Sequence, residues 1–277
     1  MSKNGALFRI VPYGPSQVTS AAFQPAFPPT ALANIQPKVV ARSSGISPNY
    51  AIDIDLGADT IIQGVAALHT NLSMAGLWQI FGASAAQGPL GAFDAEPSDR
   101  RLFGQTDYVP FGTAPTTREG RRFGLALATS VHPVVRYVRV YLRDTATDFR
   151  EIGTLLVLQR LAMGQGWDEN FELGSGRRVD DRSQIRPLPG GETAIERGGR
   201  VPQWRAAWSN LTEAQMRELW SLLMDVGTGA PILAAEFQDG SPGQAEALHY
   251  GLIQSIDFSE RIQLDKNRIE LRFQELL

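Results

Sequence analysis

The chain has 277 residues, 43% of them hydrophobic, 20% charged and 9% aromatic. That composition belongs to a globular protein with a sizeable core and excludes a disordered or fibrous one. The net charge of -3 lacks the basic footprint of a nucleic-acid binder. There is no cysteine, which excludes disulfides, cysteine-ligated zinc and thiol catalysis and makes folding in a reducing cytoplasm the expectation.

The first nine residues hold no apolar core of signal-peptide length. No apolar run reaches the roughly 20 residues needed to span a bilayer, so the reading is a chain without membrane insertion. The 17 prolines and 27 glycines point to many turns and short strands.

In chain order, residues 6–11 read as a first strand, and five prolines between Pro12 and Pro29 make 12–30 a surface loop. Residues 50–57 alternate strictly, with Ile52, Ile54 and Leu56 on one face and Asp53 and Asp55 on the other, ended by Gly57. Strands follow at 60–69 and 77–81, then an irregular stretch over about 84–120. Strand character returns at 123–128, 135–142 and 152–161.

Residues 163–200 are rich in glycine and charge, which reads as a linker and extended arm. Trp167, Phe171 and Leu173 in it are apolar enough to dock on a neighbour. The second half has one clear helix. Thr212 and Gln215 form a capping box, Met216, Leu219, Trp220, Leu223 and Val226 recur at helical spacing, and Gly227 fits the stop. Strands at 201–208, 231–237, 247–258 and 267–275 surround it, the last with Ile269, Leu271 and Phe273 on one face. Trp204, Trp208 and Trp220 read as core.

No catalytic constellation emerges. His69, His132 and His249 lie far apart in unrelated contexts, and no zinc-protease, serine-hydrolase or nucleotide-binding motif is present. Asp53 and Asp55 share a strand face, the arrangement of a cation site or acid/base pair, but the solvent face of an alternating strand is the preferred reading. Asp180 and Asp181 read as a solvated cluster among arginines. No catalytic residue, metal ligand or cofactor site is assigned.

Three segments taken together resemble the discoidin-like, or galactose-binding, family: Tyr-Ala-Ile-Asp-Ile-Asp-Leu-Gly at 50–57, Leu-Trp-Gln-Ile-Phe-Gly-Ala-Ser at 77–84 and Arg-Tyr-Val-Arg-Val-Tyr-Leu at 136–142. Glu-Ile-Gly-Thr-Leu-Leu-Val-Leu at 151–158 takes the closing-strand position. The resemblance implies an eight-stranded jelly roll whose loops at one end often bind glycans or lipid headgroups. By position alone the loops at 41–49, 70–76 and 104–118 are the glycan-facing candidates, with Tyr50, Asn71, Trp78 and Tyr108 as the residues.

The second half is similar to the β-domain of tailed-phage distal tail and baseplate proteins. Trp204 to Leu219 leads into the helix, a glycine-rich turn follows, and the last strand reads Arg-Ile-Glu-Leu-Arg-Phe-Gln-Glu.

The expectation is therefore a mostly β chain with a discoidin-like jelly-roll sandwich at 1–162, an arm at 163–200 and a strand–helix–strand β-domain at 201–277. The resemblances imply a non-enzymatic virion part of a tail tip or baseplate, assembled in bacterial cytoplasm. It would act as a ring, trimer or hexamer with other tail proteins. The alternative is an adhesin that holds a cell-surface glycan. A polysaccharide hydrolase built on Asp53 or Asp55 would need a second carboxylate across a cleft, for which the sequence has no sign.

Overall fold

A computed structural model of the chain describes residues 6–44, 50–72, 76–90, 109–110, 122–127, 133–144, 149–160, 176–187, 192–235, 248–256, 260–263 and 266–276. The first half contributes β1 (Ala6–Val11), β2 (Val18–Thr19), β3 (Ala41–Arg42), β4 (Tyr50–Ile61), β5 (Gly64–Thr70), β6 (Leu77–Ala83), β7 (Val109–Pro110), β8 (Arg122–Leu127), β9 (Val134–Arg143), β10 (Glu151–Ile152) and β11 (Thr154–Arg160). The second half contributes β12 (Gly176–Asp181), β13 (Gln184–Pro187), β14 (Thr193–Glu196), β15 (Arg200–Leu211), helix α1 (Glu213–Val226), β16 (Pro231–Ala235), β17 (Leu248–Ile256), β18 (Glu260–Gln263) and β19 (Lys266–Glu275). As expected, the described residues are mostly β with one α-helix, and the first half is a β-sandwich.

One layer of the sandwich is a five-stranded sheet in the order β2-β4-β9-β6-β7. The other is part of a ten-stranded sheet in the order β12-β15-β19-β17-β16-β1-β11-β5-β8, with β18 attached to β19. The ladders are antiparallel throughout. β1 joins the halves, pairing with β11 on one side and with β16 on the other.

Alternation along the strands creates three cores. Ile52, Ile54, Val138 and Val140 of the five-stranded sheet meet Val65, Leu155 and Val157 of the large sheet inside the sandwich. On the far half of the large sheet, Trp204, Trp208, Leu271 and Phe273 pack beneath Met216, Leu219, Leu222 and Leu223 of α1. A third cluster, with Phe8, Leu158, Leu233 and Tyr250, joins strands of both halves.

The helix begins as the sequence indicates. Gln215 N–H donates to Thr212 Oγ1 at 3.4 Å, and Thr212 N–H donates to Gln215 Oε1 at 2.7 Å. Gly227 ends it at a positive φ of 56°, where a side chain would be strained. Trp220 departs from expectation. It is 46% exposed, as is Met224 at 71%, and the core takes Leu222 instead.

In the segment read as an arm, β12 is the edge strand of the large sheet, and β13 and β14 form a separate exposed hairpin. Trp167, Phe171 and Leu173 lie outside the described residues. No helix among the described residues is long and apolar enough to cross a membrane.

Candidate functional site

The residues singled out in the sequence go to different places. Tyr50 and Trp78 are each 1% exposed, and neither ring is offered to a ligand in this structure. Tyr50 is enclosed between Phe23, at 6.4 Å edge-on, and the buried Arg150 guanidinium, 5.3 Å from its ring. Both residues occupy core positions because Tyr50, the first residue of β4, and Trp78, the second of β6, fall on the inward-facing register of their strands. Tyr108 and His132 lie outside the described residues.

Asp53 and Asp55 form no acid/base pair. Each is gripped by an arginine of the neighbouring strand β9: Arg139 Nη2 donates to Asp53 Oδ2 at 2.8 Å, and Arg136 Nε donates to Asp55 Oδ1 at 2.8 Å. The hydrogen bond from Arg136 holds the Asp55 carboxyl below the usual carboxylate range, which makes it a poor proton donor near neutral pH.

His69 and His249 lie on separate strands, β5 and β17. His69 is at the end of β5 with a positive φ of 54°. His249 is buried, stacked on Trp204 at 4.7 Å, with its Nδ1 2.6 Å from Glu275 Oε1. No group of three metal-ligating side chains occurs among the described residues.

Asn71 leads to a place where polar and aromatic groups meet at a loop end. Its Nδ2 donates to the Phe149 carbonyl at 3.0 Å, its Oδ1 accepts from Glu151 N–H at 2.7 Å, and its own N–H donates to the Glu151 carbonyl at 3.2 Å. These three bonds fix residues 149–151 against the end of β5. Glu151 is paired in register with Arg42 across β10 and β3, and Arg42 Nε donates to its carboxylate at 2.7 Å.

The Arg42 guanidinium lies 4.3 Å from the centroid of Phe27 and 4.8 Å from that of Phe149. Such cation–π contacts hold a guanidinium in a fixed plane. The Arg42 side chain is 32% exposed, Glu151 only 2%, and Phe149 39%. The result is a rigid patch with an open aromatic face and a fixed cation beside it. The loops after β3 and β5, two of the three expected from position, both leave from this end. Arg42, Phe27, Phe149 and Glu151 carried no signal in the sequence, because they come from three separated segments.

No family model matches the chain, and no curated protein matches it. Solved structures similar to it include a family 32 carbohydrate-binding module from C. perfringens in complex with galactose. That structure is 13% identical, covers 56% of this chain and 99% of the module, and gives a TM-score of 0.36. A module from Clostridium perfringens in complex with GalNAc-β-1,3-galactose is 8% identical over 55% of this chain and all (100%) of that one, with a TM-score of 0.39. A Streptococcus pneumoniae fucose-binding module is 10% identical over 51% and 92%, with a TM-score of 0.34.

Proposed function

We propose that the chain is a non-catalytic binding protein and that the Arg42 end of its β-sandwich contacts a carbohydrate. The observation that supports this is the Arg42 guanidinium fixed between Phe27 and the half-open Phe149 ring, with Asn71 and Glu151 locked beside it. Sugars are recognised by an aromatic face that covers their C–H surface together with a few preset polar groups. Galactose and GalNAc-β-1,3-galactose are the sugars held by two of the modules named above. For this chain the sugar is open and is read from a glycan array probed with the full-length protein. Phe149→Ala abolishes the signal in this reading while the protein keeps its melting temperature. An array with no signal for the parent protein removes the proposal.

A second reading, a structural part of a phage tail tip or baseplate that assembles as a homo-oligomer, is favoured by a different observation. The hairpin of β13 and β14 places Ile185 directly opposite Ile195, and these are 70% and 65% exposed. An isolated two-stranded hairpin is marginal in water and gains stability by packing on a partner. On α1, Trp220 and Met224 form another exposed apolar pair one turn apart. Light scattering over a concentration series tests it: a discrete trimer or hexamer that Ile185→Asp returns to monomer supports assembly, and a monomer throughout, absent from particles, removes it.

A further inference from the structure

β12 is the last strand of the ten-stranded sheet, and among the described residues no strand lies beyond it. Its residues are exposed apart from the half-buried Asp180, and Val179 in its middle is 51% exposed. The Arg182 N–H donates to the Gly199 carbonyl at 3.1 Å, which continues the register of Asp181 opposite Arg200 by one residue. Pairs that exchange hydrogen bonds alternate with pairs that do not along an antiparallel ladder. Val179, three residues before Arg182, therefore belongs to a pair that exchanges none. The residue opposite it is Pro202, which has no N–H to give. The Val179 N–H and C=O point away from β15, to the open edge of the sheet.

Proteins usually guard such an edge, often with charges that repel an approaching copy. The charges of β12 do the reverse. The strand reads Gly-Arg-Arg-Val-Asp-Asp, with two cations before Val179 and two anions after it. Laid antiparallel on itself with Val179 opposite Val179, it sets Arg178 opposite Asp180 and Arg177 opposite Asp181. Opposite charges directly across antiparallel strands attract, and like charges repel. Slipping the pairing so that its axis falls on Arg178 or on Asp180 sets that residue against its own copy, so the charges select one register. Arg177 and Asp181 already have contacts within their own chain, Asp181 with Arg200 at 3.0 Å. The selection therefore falls to the inner pair. Arg178 is exposed, and Asp180 has a 3.5 Å contact with the exposed Arg182, an ion pair that contributes little in water.

We propose that β12 is a docking edge for a second copy of this chain, paired antiparallel across a two-fold axis at Val179. Such a contact is self-complementary. Arg178 of each chain meets the partner's Asp180, the Val179 N–H donates to the carbonyl of the partner's Val179, and the two large sheets run on as one. A contact one strand pair wide is small and fits a reversible dimer. This inference rests on the homo-oligomeric part of the second reading above, to which it adds the surface and a two-fold symmetry.

Sedimentation equilibrium of the full chain, between about 1 μM and about 1 mM, tests the contact and should show monomer and dimer in exchange. Arg178→Asp sets carboxylate against carboxylate, and Asp180→Arg sets guanidinium against guanidinium. Each alone should raise the dissociation constant of the dimer by about tenfold or more. Both substitutions in one chain restore opposite charges and should restore the dimer. An equimolar mixture of the two single variants does the same, and the two should associate with each other more tightly than either does with itself. Arg178 is exposed and the Asp180 side chain is 37% exposed, so the variants should melt close to the parent. A parent that stays monomeric across the range overturns the contact. So does a dimer, trimer or hexamer that neither charge reversal weakens, and in that case the homo-oligomer reading stands while this edge does not carry it.

Discussion

Leu7 and Phe8 are adjacent on β1, and their side chains enter different cores. Leu7 packs into the cluster beneath α1, and Phe8 into the cluster on the opposite face of the same sheet. Both are fully buried at 0% exposure. A strand buried on both faces belongs in the middle of a sheet, and β1 lies between β16 and β11. The Tyr250 hydroxyl donates to the Ile35 carbonyl at 2.9 Å, a further tie between the halves.

Because β1 belongs to both halves, they should unfold together. Leu7→Ala is expected to cost about 2–5 kcal/mol and Phe8→Ala about 3–5 kcal/mol. In each variant the whole chain should lose stability, not one half. Denaturant unfolding followed by fluorescence in Trp78→Phe, which reports Trp204 and Trp208 among others, should coincide with far-ultraviolet circular dichroism of the whole sheet. Two separated transitions would show that the shared strand does not couple the halves.

At the start of α1, Thr212→Ala removes the acceptor for Gln215 N–H and should cost about 1 kcal/mol. At its end, Gly227 has a positive φ with nothing within 4 Å of an added Cβ. Gly227→Ala therefore pays only the backbone penalty, on the order of 1 kcal/mol. Chemical denaturation of the two single variants and the double variant should show nearly additive losses, since the caps share no partner.

The same helix shows what the sequence made legible. Its limits could be read because a capping box and a terminal glycine act locally. The outward turn of Trp220 could not, because the apolar pattern fits two neighbouring arcs. Leu219, fully buried, lies near the middle of the buried arc, and one residue further on rotates Trp220 about 100° away. Strand alternation likewise identified Ile52 and Ile54 as inward. The pairing of β1 with β16 joins residues more than 220 positions apart, and nothing in either strand names the other. The Arg42 patch was hidden for the same reason: Phe27, Arg42, Asn71, Phe149 and Glu151 become neighbours only when β3 pairs with β10.

Gly153 marks a close approach that tolerates no side chain. A Cβ there would fall 1.7 Å from the Pro37 carbonyl oxygen and 3.0 Å from the His69 Cβ. The chain passing over it at 34–37 is held by Thr154 Oγ1, which donates to the Asn34 carbonyl at 2.9 Å. Gly153→Ala must push that segment away from β11 and is expected to cost at least about 2 kcal/mol. Gly199→Ala, with nothing within 4 Å, is the control and should melt close to the parent.

Acid should weaken the fold through its paired aspartates. Hydrogen bonds from Ser183, first its side chain and then its backbone, together with Arg200, bring the Asp181 carboxyl down to about 2. Asp55 is lowered chiefly by Arg136. Carboxyls in the unfolded chain titrate near about 3.9. A folded-state value below that stabilises the protein above the unfolded value, and the benefit disappears as pH falls through the folded value. Asp55→Asn and Asp181→Asn should therefore lower the melting temperature at pH 6. Their gap from the parent should narrow below about pH 4 and, for Asp181, close near pH 2. Arg136→Gln should erase the effect of Asp55→Asn while leaving that of Asp181→Asn intact. Melting curves of the four proteins between pH 6 and pH 2 decide this, and a gap that stays constant across the range would rule out ion pairing as its source.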